Sequence, residues 1–419
     1  MSSGTFSPLQ GMVDLCAPEV HLWQRVEEAA RRLFPLYGFE EVRTPILERT
    51  SVFTRSLGET TDVVQKEMYA FEDRGGRSVA LRPEGTAGVI RYVGGAGPEA
   101  AESRLYYIGP MFRAERPQAG RRRQFHQIGV ESLGAPHPLA DAECLALQVH
   151  LLDAIGLEGA DVQVSTRGAP EDAAAVAAGL RGQLEPRRGE LCEDCRRRID
   201  ANVLRALDCK QDACRAIVAG LPPVTTFMSE ATRTYFDRFR SALDRLGVRA
   251  RPNPLIVRGL DYYVHSIWEI THGALGAQDA LSGGGRYRVQ MDGRTVDGVG
   301  FAMGIERLVM ALQKAGAAAG SPYGGLRVWI VSAGDDARAE NLALAQDLRR
   351  RGIACGMDLA GRSMKAQMRA AARAGVEWTV IRGDDELARG IVQLRHMRTS
   401  DQDAVDLSAL LERLNSRPG

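Results

Sequence analysis

The chain has 419 residues, 44% of them hydrophobic and 26% charged, a composition typical of a globular protein with about two or three domains. Its net charge is only +1, so any contact with nucleic acid has to rely on local basic patches. No apolar run approaches the ~18 residues that span a bilayer, and residues 1–10 lack the features of a secretory signal, so we expect a cytoplasmic protein without membrane contact.

Residues 1–167 predict a sheet flanked by helices. Helical patterns lie at 19–37 and 139–155, and strand patterns at 39–47, 105–113, 123–133 and 161–166. The loop that joins the strand patterns at 105–113 and 123–133 is rich in Arg, Pro and Gly. These two strands are therefore expected to form one long antiparallel hairpin.

The composition changes over 171–246, which is rich in Ala, Arg and Glu and has helical periodicity without strand alternation. We interpret residues 168–252 as a helical insertion between two parts of one sheet domain. The other part of that domain, 253–314, has strand patterns at 255–257 and 263–270 and a helix at 304–314.

Small residues over 315–325 predict a linker between domains. Beyond it, strands alternate with helices of 10–15 residues, which indicates a separate α/β domain over 326–419. Its strands are predicted at 326–332, 354–358, 378–382 and 391–397, and its helices at 337–351, 364–374 and 405–415.

The loop of the predicted hairpin is strongly basic. From Arg113 to Arg123 it carries five arginines against one acid, Glu115, a net charge of +4. Such a loop suits an arm that grips phosphates, because a guanidinium can clamp two phosphate oxygens at once. It is equally typical of a solvated hairpin tip, so the residues alone leave both interpretations open.

A glycine-rich turn precedes the helix predicted at 304–314. Gly298, Gly300 and Gly304 lead into it, and Arg307 lies in its first turn. Helix N-termini with free amides bind phosphate, although such turns are common and indicate little by themselves.

Four of the seven cysteines cluster in the predicted insertion with the spacing Cys-x₂-Cys and Cys-x₄-Cys: Cys192, Cys195, Cys209 and Cys214. Four thiolates can hold a structural zinc ion. The unusual Cys-x₄-Cys spacing and the arginine-rich helical surroundings favour free thiols instead, so we do not expect zinc and keep it as the alternative.

Three segments together resemble the histidyl-tRNA synthetase family of class II aminoacyl-tRNA synthetases. They are Ile-Gly-Pro-Met-Phe-Arg at 108–113, Arg-Gly-Leu-Asp-Tyr-Tyr at 258–263 and Gly-Phe-Ala-Met-Gly-Ile-Glu-Arg at 300–307. The segment at 258–263 is similar to the histidine-specific segment of that family. The resemblance implies an α+β fold: an antiparallel six-stranded class II core flanked by helices, a helical insertion and a C-terminal α/β anticodon-binding domain.

The resemblance also implies an activity, the ATP-dependent ligation of L-histidine to tRNA(His). The reaction passes through a histidyl-adenylate and releases AMP and diphosphate. Mg²⁺ is expected with ATP, without assignable ligands. A homodimer is implied, with the region 38–59 at its interface. We assign no anticodon-reading residues.

The resemblance implies a role for each residue that matches a functional position of the family. Arg258 and Arg113 are the catalytic candidates, neutralising charge on the α-phosphate. The ATP contacts implied are Arg113, Glu115, Phe125 (stacked on adenine) and Arg307 (on the γ-phosphate), and the tRNA acceptor contacts are Arg116, Gln118 and Arg123.

Recognition of histidine needs a carboxylate for the α-ammonium group and one acceptor and one donor for the imidazole. Glu84 suits the ammonium group, and Glu131 and Tyr263 suit the ring. The full set of histidine contacts implied is Glu84, Thr86, Gln127, Glu131, Tyr262, Tyr263 and Tyr287. After Tyr263 the chain departs from the family pattern at 264–266, and Arg288 replaces an expected acid.

Two other functions remain open. One is a catalytically inactive relative, the synthetase-like regulatory subunit of ATP phosphoribosyltransferase, which lacks the C-terminal domain. The other is a sensor of uncharged tRNA, normally fused to an effector domain for which 419 residues leave no room. The three arginines at 113, 258 and 307 favour the enzyme.

Overall fold

The computed structural model describes residues 6–58, 61–118, 120–256, 262–276, 279–291, 293–318, 320 and 324–415. The chain divides into two units, Met1–Ala319 and Gly320–Gly419. The boundary falls within the linker expected at 315–325. The finer division of the first unit into 1–167, 168–252 and 253–314 stays a prediction. None of the described helices is both long and apolar enough to cross a bilayer.

The first unit combines helices with two sheets. Its helices are α1 (Glu19–Leu33), α2 (Thr50–Leu57), α3 (Thr86–Gly95), α4 (Pro138–Ala154), α5 (Ala173–Leu184), α6 (Glu193–Ala201), α7 (Asp212–Ala219), α8 (Glu230–Arg245) and α9 (Ile305–Lys314). Its strands are β1 (Glu40–Glu41), β2 (Leu47–Arg49), β3 (Ala70–Glu72), β4 (Ser78–Leu81), β5 (Arg104–Phe112), β6 (Gln124–Leu133), β7 (Ala160–Thr166), β8 (Ala250–Pro252), β9 (Tyr263–His272), β10 (Ala280–Met291) and β11 (Arg294–Gly304).

The large sheet has the order β1-β5-β6-β11-β10-β9-β7-β8 among the described residues. Its inner strands, from β5 to β7, pair antiparallel throughout. The short edge strands β1 and β8 pair parallel. The expected six-stranded antiparallel core is therefore confirmed, and parallel edges extend it into a mixed sheet.

Two predicted strands of this unit need correction. The pattern at 39–47 divides at Pro45, and β1 joins the large sheet whereas β2 joins a small sheet of order β2-β4-β3. Residues 255 and 256 form no strand, because the Asn253 side chain accepts a hydrogen bond from the Leu255 amide at 3.0 Å and turns the chain. Val257 lies outside the described residues.

The large sheet separates two apolar clusters, since side chains alternate between its faces. On β5, Tyr106 packs into the cluster with α1, α4, α8 and α9, whereas Tyr107 packs into the other cluster with α2 and α3. The cavity described below lies on the side of Tyr107.

The predicted insertion has an apolar cluster of its own, formed by residues between Val176 and Met228. Helix α8 does not belong to it. Phe236, Phe239 and Leu243 of α8 are buried in the main cluster beside α4.

The second unit has helices α10 (Asp335–Arg350), α11 (Met364–Arg373), α12 (Asp384–Arg389) and α13 (Leu410–Asn415) and strands β12 (Val328–Ala333), β13 (Cys355–Met357), β14 (Trp378–Gly383), β15 (Ile391–His396) and β16 (Gln402–Asp406). The sheet order is β13-β12-β14-β15-β16 in the described residues. The expected α/β fold is confirmed, but Val405 pairs with Val392 in β16 instead of starting the last helix.

A buried ion pair joins the large sheet to the helices behind it. Arg286 of β10 contacts Asp141 of α4 at 2.6 Å, with side-chain exposures of only 4% and 0%. The Tyr235 hydroxyl of α8 donates to the other Asp141 oxygen at 3.0 Å. Two residues along the same strand, Arg288 pairs with Asp297 at 2.7 Å in an exposed position.

These two pairs predict different effects for the same substitution. Arg286→Ala leaves a buried carboxylate without its partner, so the free energy of unfolding should fall by about 3–5 kcal/mol. The matched control Arg288→Ala removes an exposed pair and should change it by about 0–1 kcal/mol. Urea unfolding of both variants measures the difference, and equal losses would contradict the assignment.

Candidate active site

A cavity of about 590 Å³ opens beside the β5–β6 hairpin. It collects predicted site residues from distant parts of the sequence: Glu84, Thr86, Arg113, Glu115, Phe125, Gln127, Glu131, Tyr262, Tyr263, Tyr287 and Arg307. Arg116, Gln118 and Arg123 are not among its lining residues. Arg258 lies outside the described residues.

Glu84 is fixed at the start of α3. It is 4% exposed, and its two carboxylate oxygens accept hydrogen bonds from the amides of Thr86 at 2.8 Å and Ala87 at 2.7 Å. Burial raises the pKa of this carboxyl, and the two amide bonds partly oppose the rise. The first turn of a helix has unpaired amides, so a carboxylate here satisfies them and is held in one orientation.

Glu131 on β6 lies beside this turn and is 1% exposed. One of its oxygens accepts a hydrogen bond from the Thr86 hydroxyl at 2.7 Å. Burial raises the pKa of Glu131 to about 8, against the lowering effect of that bond. Thr86 therefore links the two acids, with its amide on Glu84 and its hydroxyl on Glu131.

Several buried polar atoms of this region have no hydrogen-bond partner within the described part of the chain. They are Glu131 Oε2, Gln127 Oε1 and the hydroxyls of Tyr107 and Tyr287. Buried polar atoms in native proteins are nearly always paired. A group of unpaired ones around one cavity indicates a polar ligand.

Two glycines leave room beside the backbone for these side chains. A Cβ on Gly300 would lie 2.3 Å from Glu131 Oε2, and one on Gly129 would lie 2.3 Å from the Tyr107 ring. Any larger residue at either position would therefore displace a polar group of the site.

Arg113 and Arg307 bring guanidinium groups to the same cavity. Arg113 donates from Nε to the Pro83 carbonyl at 2.9 Å, and its guanidinium carbon lies 5.3 Å from the centroid of the Phe125 ring. Arg307, in the first turn of α9, donates from Nε to the Ala280 carbonyl. Both guanidinium groups are thus held through Nε against main-chain oxygens.

The basic loop is partly tied to its own chain. Arg121 contacts Glu115 at 3.2 Å, and Arg122 contacts Glu19 at 3.5 Å. The Arg123 amide donates to the Gly11 carbonyl at 2.8 Å. Arg121 and Arg122 line the cavity, whereas the family resemblance points to other residues of the loop.

Several lining residues were not predicted from the sequence, and two of them join distant segments to the cavity. Glu306 accepts hydrogen bonds from the His126 amide at 3.0 and 3.1 Å and so ties α9 to the return strand β6. It stands inside the segment 300–307, which could have revealed it. Lys210 reaches the cavity from the insertion, and its sequence carries no signal for that contact.

The family profile for histidyl-tRNA synthetase matches residues 11–308, and the profile for the anticodon binding domain matches residues 327–417. The chain is similar to the histidine–tRNA ligase of Halothermothrix orenii, with 42% identity over 414 residues that cover 97% of this chain and 98% of that protein. The ligase of Anaeromyxobacter sp. strain K is 43% identical over 411 residues, covering 97% and 99%.

Among solved structures, the apo histidyl-tRNA synthetase of S. aureus matches with a TM-score of 0.82 and 32% identity, covering 98% of this chain and 100% of that one. Sequence relatives, profiles and fold all agree with the three segments that line or border the cavity. On these grounds the chain belongs to the histidyl-tRNA synthetase family.

Proposed function

We propose that the cavity between Glu131 and Arg113 is where this chain joins histidine to ATP. The chain ligates L-histidine to tRNA(His), and the adenylate route with release of AMP and diphosphate is general for its family. The observation that carries the placement is the pair of buried acids, Glu84 and Glu131, in the same cavity as Arg113 and Arg307.

The two buried acids of the cavity suit the amino acid. Glu84 presents a carboxylate to the α-ammonium group, and Glu131 Oε2 accepts one imidazole N–H while Tyr263 serves the other ring nitrogen. Thr86 positions both acids, and Gln127, Tyr262 and Tyr287 complete the histidine contacts. An amino acid without an imidazole would leave these buried polar groups unpaired. The site therefore discriminates against it.

The guanidinium groups and the aromatic ring of Phe125 suit the nucleotide. Arg113 holds the α-phosphate, Phe125 stacks on adenine, Arg307 holds the γ-phosphate, and Glu115 completes the contacts. Mg²⁺ accompanies ATP in this family, and we assign it no ligands. The histidine carboxylate is already anionic, so its attack on the α-phosphorus needs positioning and charge neutralisation instead of a general base.

Three further assignments rest on the family resemblance. The acceptor end of tRNA(His) contacts the basic loop at Arg116, Gln118 and Arg123. The second unit, which matches an anticodon binding domain, contacts the anticodon. The chain acts as a cytoplasmic homodimer with the region 38–59 at the interface.

The purified chain should catalyse histidine-dependent exchange between ATP and pyrophosphate, because one cavity has groups for both the amino acid and the nucleotide. Radiolabelled pyrophosphate incorporation measures it, with lysine and glutamine as control amino acids. A folded protein without exchange would favour the regulatory-subunit function, and one that also binds uncharged tRNA would favour the sensor.

Arg258→Ala should lower exchange by about 10²–10³-fold, since it removes a cation that stabilises charge on the α-phosphate. The oligomeric state should be unchanged in size-exclusion chromatography. Arg251→Ala, which breaks an exposed pair with Asp161 at 2.7 Å, is the matched control and should keep full activity. Normal exchange in the Arg258 variant would remove its assigned role.

Comparison with Glu131→Gln should show that the buried carboxyl of Glu131 makes the free energy of unfolding of the wild-type chain depend on pH. The unfolded carboxyl ionises near 4.5, whereas the folded one stays protonated up to about 8. Between these values the folded chain retains a proton that the unfolded chain has lost, so wild-type stability falls as pH rises, by at most about 1.4 kcal/mol per pH unit.

The glutamine variant lacks this equilibrium. Its free energy of unfolding relative to wild type should therefore increase from about pH 5 to about pH 8 in urea unfolding, while its KM for histidine rises about tenfold or more. A stability difference that stays constant over this range would mean that Glu131 is ionised in the folded chain.

A further inference from the structure

The four clustered cysteines come together in space from different pieces of the insertion. Cys192 immediately precedes α6 and Cys195 lies in its first turn, Cys209 follows the 3₁₀ turn Val203–Asp208, and Cys214 lies in α7. Their sulfur atoms all lie within 4.8 Å of one another. Three of the side chains are buried, and that of Cys192 is half-buried.

This arrangement fits one tetrahedral metal ion. With Zn–S bonds of about 2.3 Å, tetrahedral geometry separates the sulfurs by about 3.8 Å. The distance between Cys192 Sγ and Cys209 Sγ is 3.8 Å. A disulfide would need about 2.05 Å, and a cluster of several iron atoms would hold the sulfurs farther apart.

The main chain also supports a sulfur ligand. The Cys192 amide donates to Cys214 Sγ at 3.2 Å, and hydrogen bonds of this kind orient metal ligands in protein sites. Four thiolates around Zn²⁺ leave a net charge of −2. Arg196 of α6 donates to the carbonyl of Leu191, the residue before Cys192, at 2.8 Å and so brings a positive charge near the cluster.

The insertion has a physical need for such a link. Helices α6 and α7 have only nine and eight residues, below the roughly 12–15 at which an isolated helix becomes stable. Their apolar cluster is small and made within the insertion. Small folding units of this kind are commonly stabilised by a metal or by disulfides.

We propose that Cys192, Cys195, Cys209 and Cys214 bind one Zn²⁺ ion as a structural site that holds the insertion together. This inference replaces the free thiols favoured by the sequence. The unusual Cys-x₄-Cys spacing has a structural reason, because the chain turns from Cys209 into α7 before Cys214 points back to the other three.

The site has a consequence for the cavity. Lys210 follows Cys209 directly and lines the cavity wall, and Arg205 of the preceding turn contacts Asp62 at 3.8 Å. The metal therefore fixes a segment that forms part of the wall of the active site. The binding of zinc itself does not rest on the proposed function.

Elemental analysis of the full chain tests the proposal. Protein purified without added metal and washed with EDTA should hold about 1 equivalent of zinc, and Cys209→Ser should lower it below about 0.2 equivalent. Cys355→Ser changes a buried cysteine of the second unit and is the matched control, which should retain about 1 equivalent.

A further measurement on the wild-type protein keeps the test valid if the serine variant does not fold. Stepwise addition of a mercurial reagent should first titrate the exposed Cys16 and then release one zinc ion as about four further thiols react. Wild-type protein with less than about 0.2 equivalent of zinc, whether its four thiols are reduced or paired in disulfides, would overturn the proposal.

Discussion

The site depends on burying two carboxyl groups, Glu84 and Glu131, side by side in one cavity. Removing a charge from water is unfavourable unless hydrogen bonds and partners compensate for it. Glu84 is compensated by the first amides of α3, whereas Glu131 receives one bond from Thr86 and keeps one oxygen unpaired. A polar ligand at this point could pair with the remaining oxygen of Glu131.

The burial of these two carboxyl groups also restricts which residues can stand next to them. Tyr107 and Glu131 have space over the sheet only because Gly129 and Gly300 lack a Cβ. The opposite face of the sheet has no such requirement and is filled with apolar side chains against α1, α4 and α9. One face of the sheet is therefore devoted to packing, whereas the other combines an apolar cluster against α2 and α3 with the polar site.

Two parts of the unit that are separate in the sequence cooperate in the structure. The insertion has its own apolar cluster, yet Lys210 beside the cysteines reaches the cavity. In the same way Glu306, at the start of α9, holds the return strand of the hairpin through the His126 amide. Both contacts join segments that are remote along the chain to the walls of one site.

The sequence alone determined two things: the helices and strands whose side chains follow a local periodicity, and the family, which three short motifs identified. The β5–β6 hairpin, α9 and the alternation of the second unit follow from spacing, because side-chain direction repeats every two or 3.6 residues. Local patterns failed where pairing or turn chemistry prevailed: Pro45 divided one strand, Asn253 turned another, and Val405 joined β16.

Only the tertiary structure decided which side chains meet. Glu84 and Glu131 are 47 positions apart, yet Thr86 links them, with its amide on Glu84 and its hydroxyl on Glu131. Four cysteines with an unpromising spacing likewise have converging sulfur atoms. No periodicity records such contacts, since they arise from strand order and from the packing of helices on the sheet. Spacing along the chain determines the direction in which each side chain points from its helix or strand. Burial and hydrogen bonding between distant segments determine which side chains meet in a site and what they can bind.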